Sequence, residues 1–451
     1  MRDITIVAMV VVLALVALRR PWIGVLLWAW ISLMNPHRYA WGFAYEFPVA
    51  AMAAAATLLG LMFCKERDNP FKGPPVAWFV VFSLWMTLSW RMGLDPAGDY
   101  AQWDKVMKIN LMVIVGLVLI RTKEQIMLLM WVCALSLALL GAKGGVFTIL
   151  NGGSYRVWGP PGTFIGDNNE FALALVMTIP LLRFLQLQMP RGRWRHGMTV
   201  LMILTAAAAL GSHSRGGLLA ITAMTLLLWW RGRNRLAGGV VIFVVGIALL
   251  MFMPEEWTSR MSTIDEYAED DSALGRFSAW WVSWRVAQNY PFGIGYTLPR
   301  PELFALYSPY PHLGTPVAHS IYFQVMGHHG FIGLFFFLMI WISTWFLAWR
   351  MKKRAEGIPE AHWCADLANM CQVSLLGYLV GGAFLSLSYF DLPYNIMSLV
   401  VMANLWMVRQ RWKQESPKPT RWRALLGIVP PESVPPKGGP RPLPSGQTVA
   451  R

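Results

Sequence analysis

Residues 312–334, HLGTPVAHSIYFQVMGHHGFIGL, close a long hydrophilic interruption and open a long apolar run. The interruption, 254–318, is rich in charges, prolines and tyrosines, and the apolar run extends over 320–349. A run of that length can cross a bilayer, which takes roughly 17–25 apolar residues. His319, His328 and His329 lie on the helix this stretch predicts or at its start, and His312 lies just before it. An imidazole at the boundary between a polar loop and an apolar helix is a place for proton chemistry.

Working outward, the same alternation fills the chain. Of its 451 residues 56% are hydrophobic and only 14% charged, with a mean hydropathy of +0.44; a soluble domain carries about 25% charged residues. Apolar runs fall near 4–18, 22–34, 47–63, 75–90, 106–120, 125–140, 170–187, 197–210, 216–230, 236–253, 320–349, 367–388 and 393–408. They predict an all-α polytopic membrane protein with about 12 transmembrane helices, or about 13 if the first two short runs cross separately. The runs do not alternate residue by residue, which excludes a transmembrane β-barrel. The first run ends in Arg19-Arg20-Pro21 without a small-residue cleavage site, so no cleavable signal peptide is expected.

The net charge of +15 follows from loop placement rather than from a nucleic-acid partner. Basic clusters at Arg19-Arg20, Lys65/Arg67/Lys72, Arg121/Lys123, Arg191/Arg193/Arg195, Arg231/Arg233/Arg235, Arg350/Lys352/Lys353/Arg354 and Arg409/Arg411/Lys413 alternate with cation-poor loops. Cytoplasmic loops carry the excess of Lys and Arg, so 35–46, 91–105, 141–169, 211–215, 254–319 and 389–392 are expected on the far side. The chain divides accordingly into N-terminal helices (1–140), central helices with the Arg156 and Arg215 loops (141–253), a large far-side loop (254–319) and C-terminal helices (320–411). A Pro- and Gly-rich cytoplasmic tail (412–451) reads as disordered, with Arg421 and Arg423 available to anionic headgroups. The four cysteines, Cys64, Cys133, Cys364 and Cys371, give neither a disulfide framework nor a zinc spacing.

The far-side loops hold the polar chemistry. In the first, Asp167-Asn168-Asn169-Glu170 leads into a helix that Asp167 or Asn168 would cap, while Arg156 is a lone cation on a cation-poor side. In the second, Gly211-Ser212-His213-Ser214-Arg215-Gly216-Gly217 joins two apolar helices. Arg215 stands at a helix N-terminus, where its charge opposes the dipole; with free backbone N–H groups it would make an anion site. In the large loop, LGRFSAWWVSWRVAQNYPFGIGY predicts an amphipathic helix carrying Arg276 and Arg285, its aromatic residues forming a membrane-surface belt. A Pro-rich stretch with Tyr307, Tyr310 and His312 leads to His319. Asp270 and Asp271, or Asp95 and Asp99, are the carboxylates a metal would need, yet an acidic run in a loop is ordinarily solvated. His312 and His319 lack a zinc-hydrolase spacing, and the 211–216 turn is only superficially a hydrolase nucleophile elbow. Arginines plus one histidine remain. That set suits transfer from a diphosphate-activated donor: guanidinium groups hold the leaving diphosphate without metal or other cofactor, and an imidazole takes the proton of an attacking hydroxyl.

The chain resembles the O-antigen ligase family, whose domain is shared with O-antigen polymerases. The resemblance covers about residues 150–345 and rests on Ser214-Arg215-Gly216-Gly217-Leu218, on Gly275-Arg276 before the aromatic helix, on Asn289-Tyr290-Pro291-Phe292-Gly293-Ile294-Gly295-Tyr296, and on Ala318-His319-Ser320-Ile321-Tyr322-Phe323-Gln324 leading to Gly330-Phe331-Ile332-Gly333-Leu334. The first 150 residues look like exosortase-associated O-glycosylation ligases. The resemblance implies a GT-C type glycosyltransferase of the bacterial inner membrane with a periplasmic active site. It would move a glycan from undecaprenyl diphosphate to a lipid A–core hydroxyl, in lipopolysaccharide biosynthesis. His319 takes the place of the family's essential histidine, and Arg215 and Arg276, more weakly Arg156, that of its arginines. His312 and Tyr310 are candidate donor or acceptor contacts, and His328 and His329 are expected to serve helix packing. The alternatives with the same donor are a protein O-glycosylation ligase and an O-antigen polymerase. A flippase is more remote, since it would need charge within several spans, and His328, His329 and Arg183 are nearly all that the spans offer.

Overall fold

The computed structural model of the chain describes residues 2–232, 235–236, 239–240, 247, 271–298, 300–430 and 433, with the backbone alone at 271 and 272. Fifteen helices are named here in chain order: α1 (Arg2–Arg19), α2 (Pro21–Met34), α3 (Val49–Phe63), α4 (Pro74–Arg91), α5 (Tyr100–Leu119), α6 (Lys123–Leu150), α7 (Asn168–Gln188), α8 (Arg193–Gly211), α9 (Arg215–Arg231), α10 (Asp271–Asn289), α11 (Pro301–Tyr307), α12 (Ile321–Ala355), α13 (His362–Gly381), α14 (Asp391–Val408) and α15 (Arg421–Leu425). Among the described residues there is no strand. The span expected at 236–253 and the acidic run 265–270 lie outside them, and so does the side chain of Asp271.

Among the described residues four segments are long and apolar enough to cross a membrane: Lys123–Leu150, Asn168–Gln188, Ile321–Ala355 and Pro359–Phe384. Shorter apolar helices, Pro21–Met34 and Val49–Phe63, accompany them. Local signals set the ends of several helices. Thr122 and Gln125 form a reciprocal capping box at the start of α6. Pro21 opens α2, and Asn35 closes it in the left-handed region at φ 51°. Ser214 caps α9 by accepting the Gly217 N–H at 3.0 Å.

α7 is buried on nearly every side and packs on α6, α8, α9 and α13. Its side chains and those of α6, α13 and α14 make the main core. α1–α3 close a smaller core around Val10, Leu27 and Ile31. α10, α11 and the chain leading to α12 close a third around Val282, Val286, Ile294 and Phe304. The predicted amphipathic helix is therefore packed along one face. Its aromatic residues are divided: Phe277, Trp281 and Trp284 are largely exposed, whereas Trp280 stacks on Phe323 of α12 at 4.9 Å.

α12 is not one continuous helix. At Gly330 the backbone turns to φ 71°, ψ −176°, a conformation open to glycine without Cβ strain. The break frees two carbonyls inside the bundle, and both are satisfied. His328 O accepts from Ile294 N (3.0 Å), Gly295 N (3.2 Å) and Ser89 Oγ (3.0 Å), and His329 O from Trp85 Nε1 (2.8 Å). Irregular backbone at this depth is stable because protein donors replace the missing water. The Tyr290–Tyr296 turn thus plugs the kink, and a Cβ on Gly293 would lie 2.2 Å from His328 O.

The tail departs from its expected disorder as far as 430. Ala424, Ile428 and Val429 are buried, Trp131 donates to Leu426 O at 3.1 Å, and Arg423 pairs with Glu124 at 3.2 Å instead of reaching headgroups. The short apolar run Ala424–Val429 supplies the burial; averaged over a Pro-rich tail it leaves no compositional trace. Arg421 is exposed.

Candidate active site

Four segments converge at one end of the bundle: 151–170, 211–215, 316–324 and 385–388. Val157 N donates to Gly211 O (3.0 Å), Asn168 Nδ2 to Ser212 O (2.7 Å), and His213 Nε2 lies 2.7 Å from Gly153 O. On the other side Ser388 Oγ donates to Ile321 O (3.1 Å) and to Gln324 Oε1 (2.8 Å). Ser386 N donates to Glu170 Oε1 at 3.4 Å.

His319 sits where these segments meet, two residues before α12. Its backbone is left-handed, φ 43°, which is uncommon outside glycine. The neighbours hold it there: Trp280 Nε1 donates to Ala318 O at 2.6 Å, and the Gln324 N–H takes Ser320 O at 2.8 Å as the first helical bond. The ring projects from this turn with its Nδ1 3.8 Å from Glu170 Oε1. Glu170 is buried, while the His319 side chain stays 36% exposed, so one edge faces the carboxylate and part of the ring remains open. Asp167 caps α7 beside them, accepting from Asn169 N at 2.9 Å. Burial alone would raise its carboxyl, but the Asn169 N–H, contacts with Glu170 and the Asn169 side chain, and nearby His319 together hold it below the ordinary carboxylate value.

Unsatisfied polar atoms concentrate here. His319 Nδ1, Glu170 Oε2, Ser320 Oγ and Ser386 Oγ are buried and without a hydrogen-bond partner. Each such atom costs about 1–3 kcal/mol, and a cluster of them at one spot calls for a functional explanation.

Arg215 and Arg276 lie on the helices that border these segments. Arg215 is the first residue of α9 and is half-buried. Its neighbour Gly216 abuts Leu385, where a Cβ would meet that side chain at 3.1 Å; Leu385 precedes Ser386, the donor to Glu170. Arg276, also half-buried, lies one helical turn before Trp280 on α10. Residues four apart share a helix face, so Arg276 lies on the face that holds Ala318. The expected residues away from this centre are three. Arg156 is exposed on the 151–167 loop and forms no ion pair among the described residues. His312 is exposed and its ring meets Tyr310 edge-on at 6.2 Å.

His328 and His329 are held inside the bundle, as expected of groups that serve helix packing. Both are buried and bonded to the Tyr389 hydroxyl, at 2.9 and 2.8 Å, and His329 Nδ1 lies 2.9 Å from Ser89 Oγ. Asp99 ties down the turn that plugs the α12 kink, accepting from Tyr296 N at 2.7 Å and from the Thr297 hydroxyl. Asp95 accepts Gly98 N at 2.9 Å. Both carboxylates are thus occupied by turn geometry. Among the described residues no group of three or more His, Cys, Asp or Glu side chains is close enough to hold a metal ion.

Glu170 is the residue that sequence reasoning passes over. Asp167-x-x-Glu170 has the spacing of a capping box, and that local explanation absorbs the carboxylate. The remaining signal is that α7 is apolar behind it, so a carboxylate in its first turn has to find a partner across the fold.

Comparison with known proteins divides the chain in two. Residues 1–189 match a family of unknown function (DUF5935), and this stretch contains Arg156, Asp167 and Glu170. Residues 200–338 match the family described as O-antigen ligase, and this stretch contains Arg215, Arg276 and His319. No curated protein matches the chain. The motifs, the apolar helices and this match agree: residues 200–338 carry an O-antigen ligase family domain, which supports a ligase or polymerase-like glycosyltransferase built of apolar, membrane-length helices.

Proposed function

We propose that the protein is an O-antigen ligase that moves a glycan from undecaprenyl diphosphate to a hydroxyl of lipid A–core oligosaccharide. The reaction takes place at the periplasmic face of the bacterial inner membrane, within a GT-C type bundle of about 12 crossings. The observation that carries this reading is the His319–Glu170 pair, open on one side, at the end of the bundle where α9 begins with Arg215 and α10 carries Arg276. Glu170 faces Nδ1, which favours the tautomer with a proton there and leaves Nε2 as the base. Such contacts are commonly long without substrate and tighten in the complex.

The acceptor oxygen attacks the anomeric carbon of the donor sugar as His319 Nε2 takes its proton. The bond from the anomeric carbon to the diphosphate oxygen breaks on the opposite face, so the configuration inverts. Undecaprenyl diphosphate leaves with the bonding pair. Arg215 and Arg276 hold its developing charge through charge-assisted hydrogen bonds, aided by the backbone N–H groups at the start of α9. Glu170 stabilises the imidazolium until its proton is released. Arg156 on its exposed loop, with Tyr310 and His312, would meet the glycan or the acceptor.

The test is reconstitution. Purified protein is mixed with undecaprenyl-diphosphate glycan and lipid A–core in EDTA. Glycosylated lipid A–core, inverted at the anomeric carbon, is the expected product. Transfer that waits for added Mg²⁺ sinks the arginine-based mechanism and returns attention to Asp270 and Asp271. Transfer to a protein acceptor but not to lipid A–core moves the assignment to protein O-glycosylation.

A further inference from the structure

A second polar cavity lies outside the matched ligase stretch, where α2 ends, α3 and α5 begin and the 162–165 turn folds over them. Its volume is about 280 Å³, near the lower end for small-molecule sites. Trp28, Ile31 and Ile109 make its apolar wall. Arg38, Lys105 and Lys108 bring cations to it. His319, Glu170 and Ser386 do not line it, although its 162–165 turn belongs to the 151–170 segment and Phe390 on its wall lies four residues beyond Ser386.

Cations outnumber carboxylates there: Arg38, Lys105 and Lys108 face Asp104 and, farther off, the buried Asp391 that attracts Lys105. Lys108 pairs with Asp104 at 2.5 Å, but Arg38 and Lys105 have no carboxylate within 4 Å among the described residues. Their near contacts are ring faces instead: the Arg38 guanidinium lies 4.7 Å from the centre of Tyr45, and Lys105 Nζ 3.9 Å from that of Phe164. The buried carboxylate nearby, Asp391, accepts the hydroxyl of Ser32. His37 Nδ1 is buried with no partner. Burial, and then the adjacent Arg38 charge, push the His37 ring below its ordinary pKa, so it offers neutral N–H or nitrogen rather than a third charge. Loops on this side are otherwise cation-poor, so cations gathered around a cavity are not accounted for by topology.

We infer that this cavity binds the phosphate head of a membrane lipid, with the Arg38 fork and Lys105 on the phosphate oxygens and the lipid chain along the α2 and α5 wall. A planar guanidinium beside an ammonium matches a tetrahedral oxyanion, and the apolar wall excludes a free sugar phosphate as the natural occupant. The inference does not rest on the transfer chemistry. Two sources share the required group: a phosphate monoester on an isoprenoid, and the phosphodiester of a bilayer phospholipid.

The test uses full-length protein carrying Arg215→Gln and Arg276→Gln in a phosphate-free maltoside detergent, so that the proposed diphosphate arginines are absent and no bulk phospholipid competes. Farnesyl phosphate is titrated in one arm and dioleoyl phosphatidylglycerol in the other, with binding read by calorimetry and by native mass spectrometry. Binding is expected to persist in this background and to weaken at least about tenfold on adding Lys105→Gln, or Arg38→Gln with Lys105→Gln, the two contacts that charge-assisted bonding makes strongest. Lys105→Arg should keep it. Lys105 is solvent-exposed, so the single variant leaves the fold intact. Preference for farnesyl phosphate assigns an isoprenoid occupant, and equal or better binding of phosphatidylglycerol assigns a bilayer lipid. Loss of all binding in the Arg215/Arg276 background, or binding indifferent to Arg38 and Lys105, overturns the inference.

Discussion

The two ends of the helix bundle treat charge in opposite ways. At one end Asp68, almost fully buried, receives Arg409 at 2.5 Å, Arg411 at 2.6 Å and Arg121 at 3.4 Å. Glu415 accepts from Lys123 N and from Trp406 Nε1, and Glu124 pairs with Arg423. The carboxylates there are spent on joining the tail, α14 and the short loops. At the other end Glu170 and His319 stand 3.8 Å apart without a hydrogen bond. Arg38, Lys105 and Arg156 form no ion pair within 4 Å there among the described residues, although the buried Asp391 attracts Lys105 from farther off. Ion pairs exist at that end too, Lys108 with Asp104 and Arg300 with Asp99 at 4.0 Å, but the charges around His319 and the α2–α5 cavity are not spent on joining chain segments, and an anion from outside is proposed to meet them.

That contrast can be broken most directly at His319. Replacement His319→Ala should lower transfer by roughly 10²–10⁴-fold, the usual worth of a general base, with insertion and thermal unfolding unchanged. Near-normal turnover in this variant would remove the imidazole from the reaction. The matching change at the opposite end is Asp68→Ala. It strands Arg409 and Arg411 with no counter-charge, which in a buried network costs about 3–5 kcal/mol. Thermal unfolding in detergent should show that loss while turnover per folded molecule stays the same. A rate defect as large as the stability defect would mean that the two ends are not separable.

How much of this contrast the sequence revealed depends on how local each feature is. The helical character was legible because apolar runs need no tertiary knowledge, although only four of the described segments are long and apolar enough to cross a membrane, against about 12 expected. The sequence singles out His319 as a histidine at the mouth of an apolar helix and Arg215 as a cation at a helix start; the structure adds that His319 faces Glu170 at 3.8 Å. The break at Gly330 was not legible. GHHGFIGL reads as an uninterrupted helix, and what allows the break is three donors to His328 O from residues 89, 294 and 295. The fold of 424–429 was hidden by its Pro-rich surroundings. Glu170 was hidden by the capping spacing that explains it so readily.

Glu170→Gln tests that last point. It keeps the size and the Ser386 contact and removes only the charge facing His319 Nδ1. Losing the partner that orients a histidine costs roughly 10–100-fold at metal sites, and a drop of that order is expected in kcat, with KM for the donor little changed. Glu170→Asp should recover part of it, since the charge returns at a longer reach. A KM effect without a kcat effect would assign Glu170 to substrate binding. The result bears on both halves of the chain, because Glu170 lies in the part that matches a family of unknown function while His319 lies in the ligase part.

The smallest effect is expected from Arg423→Ala. The side chain bridges from the tail to Glu124 at 3.2 Å, and both partners are partly open to solvent, at 21% and 29% exposure. Solvent and salt screen such a pair, so it contributes about 0.2–1 kcal/mol. The apolar side of the same segment, Ala424, Ile428 and Val429, should contribute more, since burying even one aliphatic side chain is worth about 1.5–3 kcal/mol. Deleting 415–451 should therefore lower thermal stability by more than Arg423→Ala does, and neither change should touch the rate. If Arg423→Ala alone matched the deletion, the tail would be held by charge rather than by burial. The end with the matched charges would then depend on ion pairs to a degree that their exposure argues against.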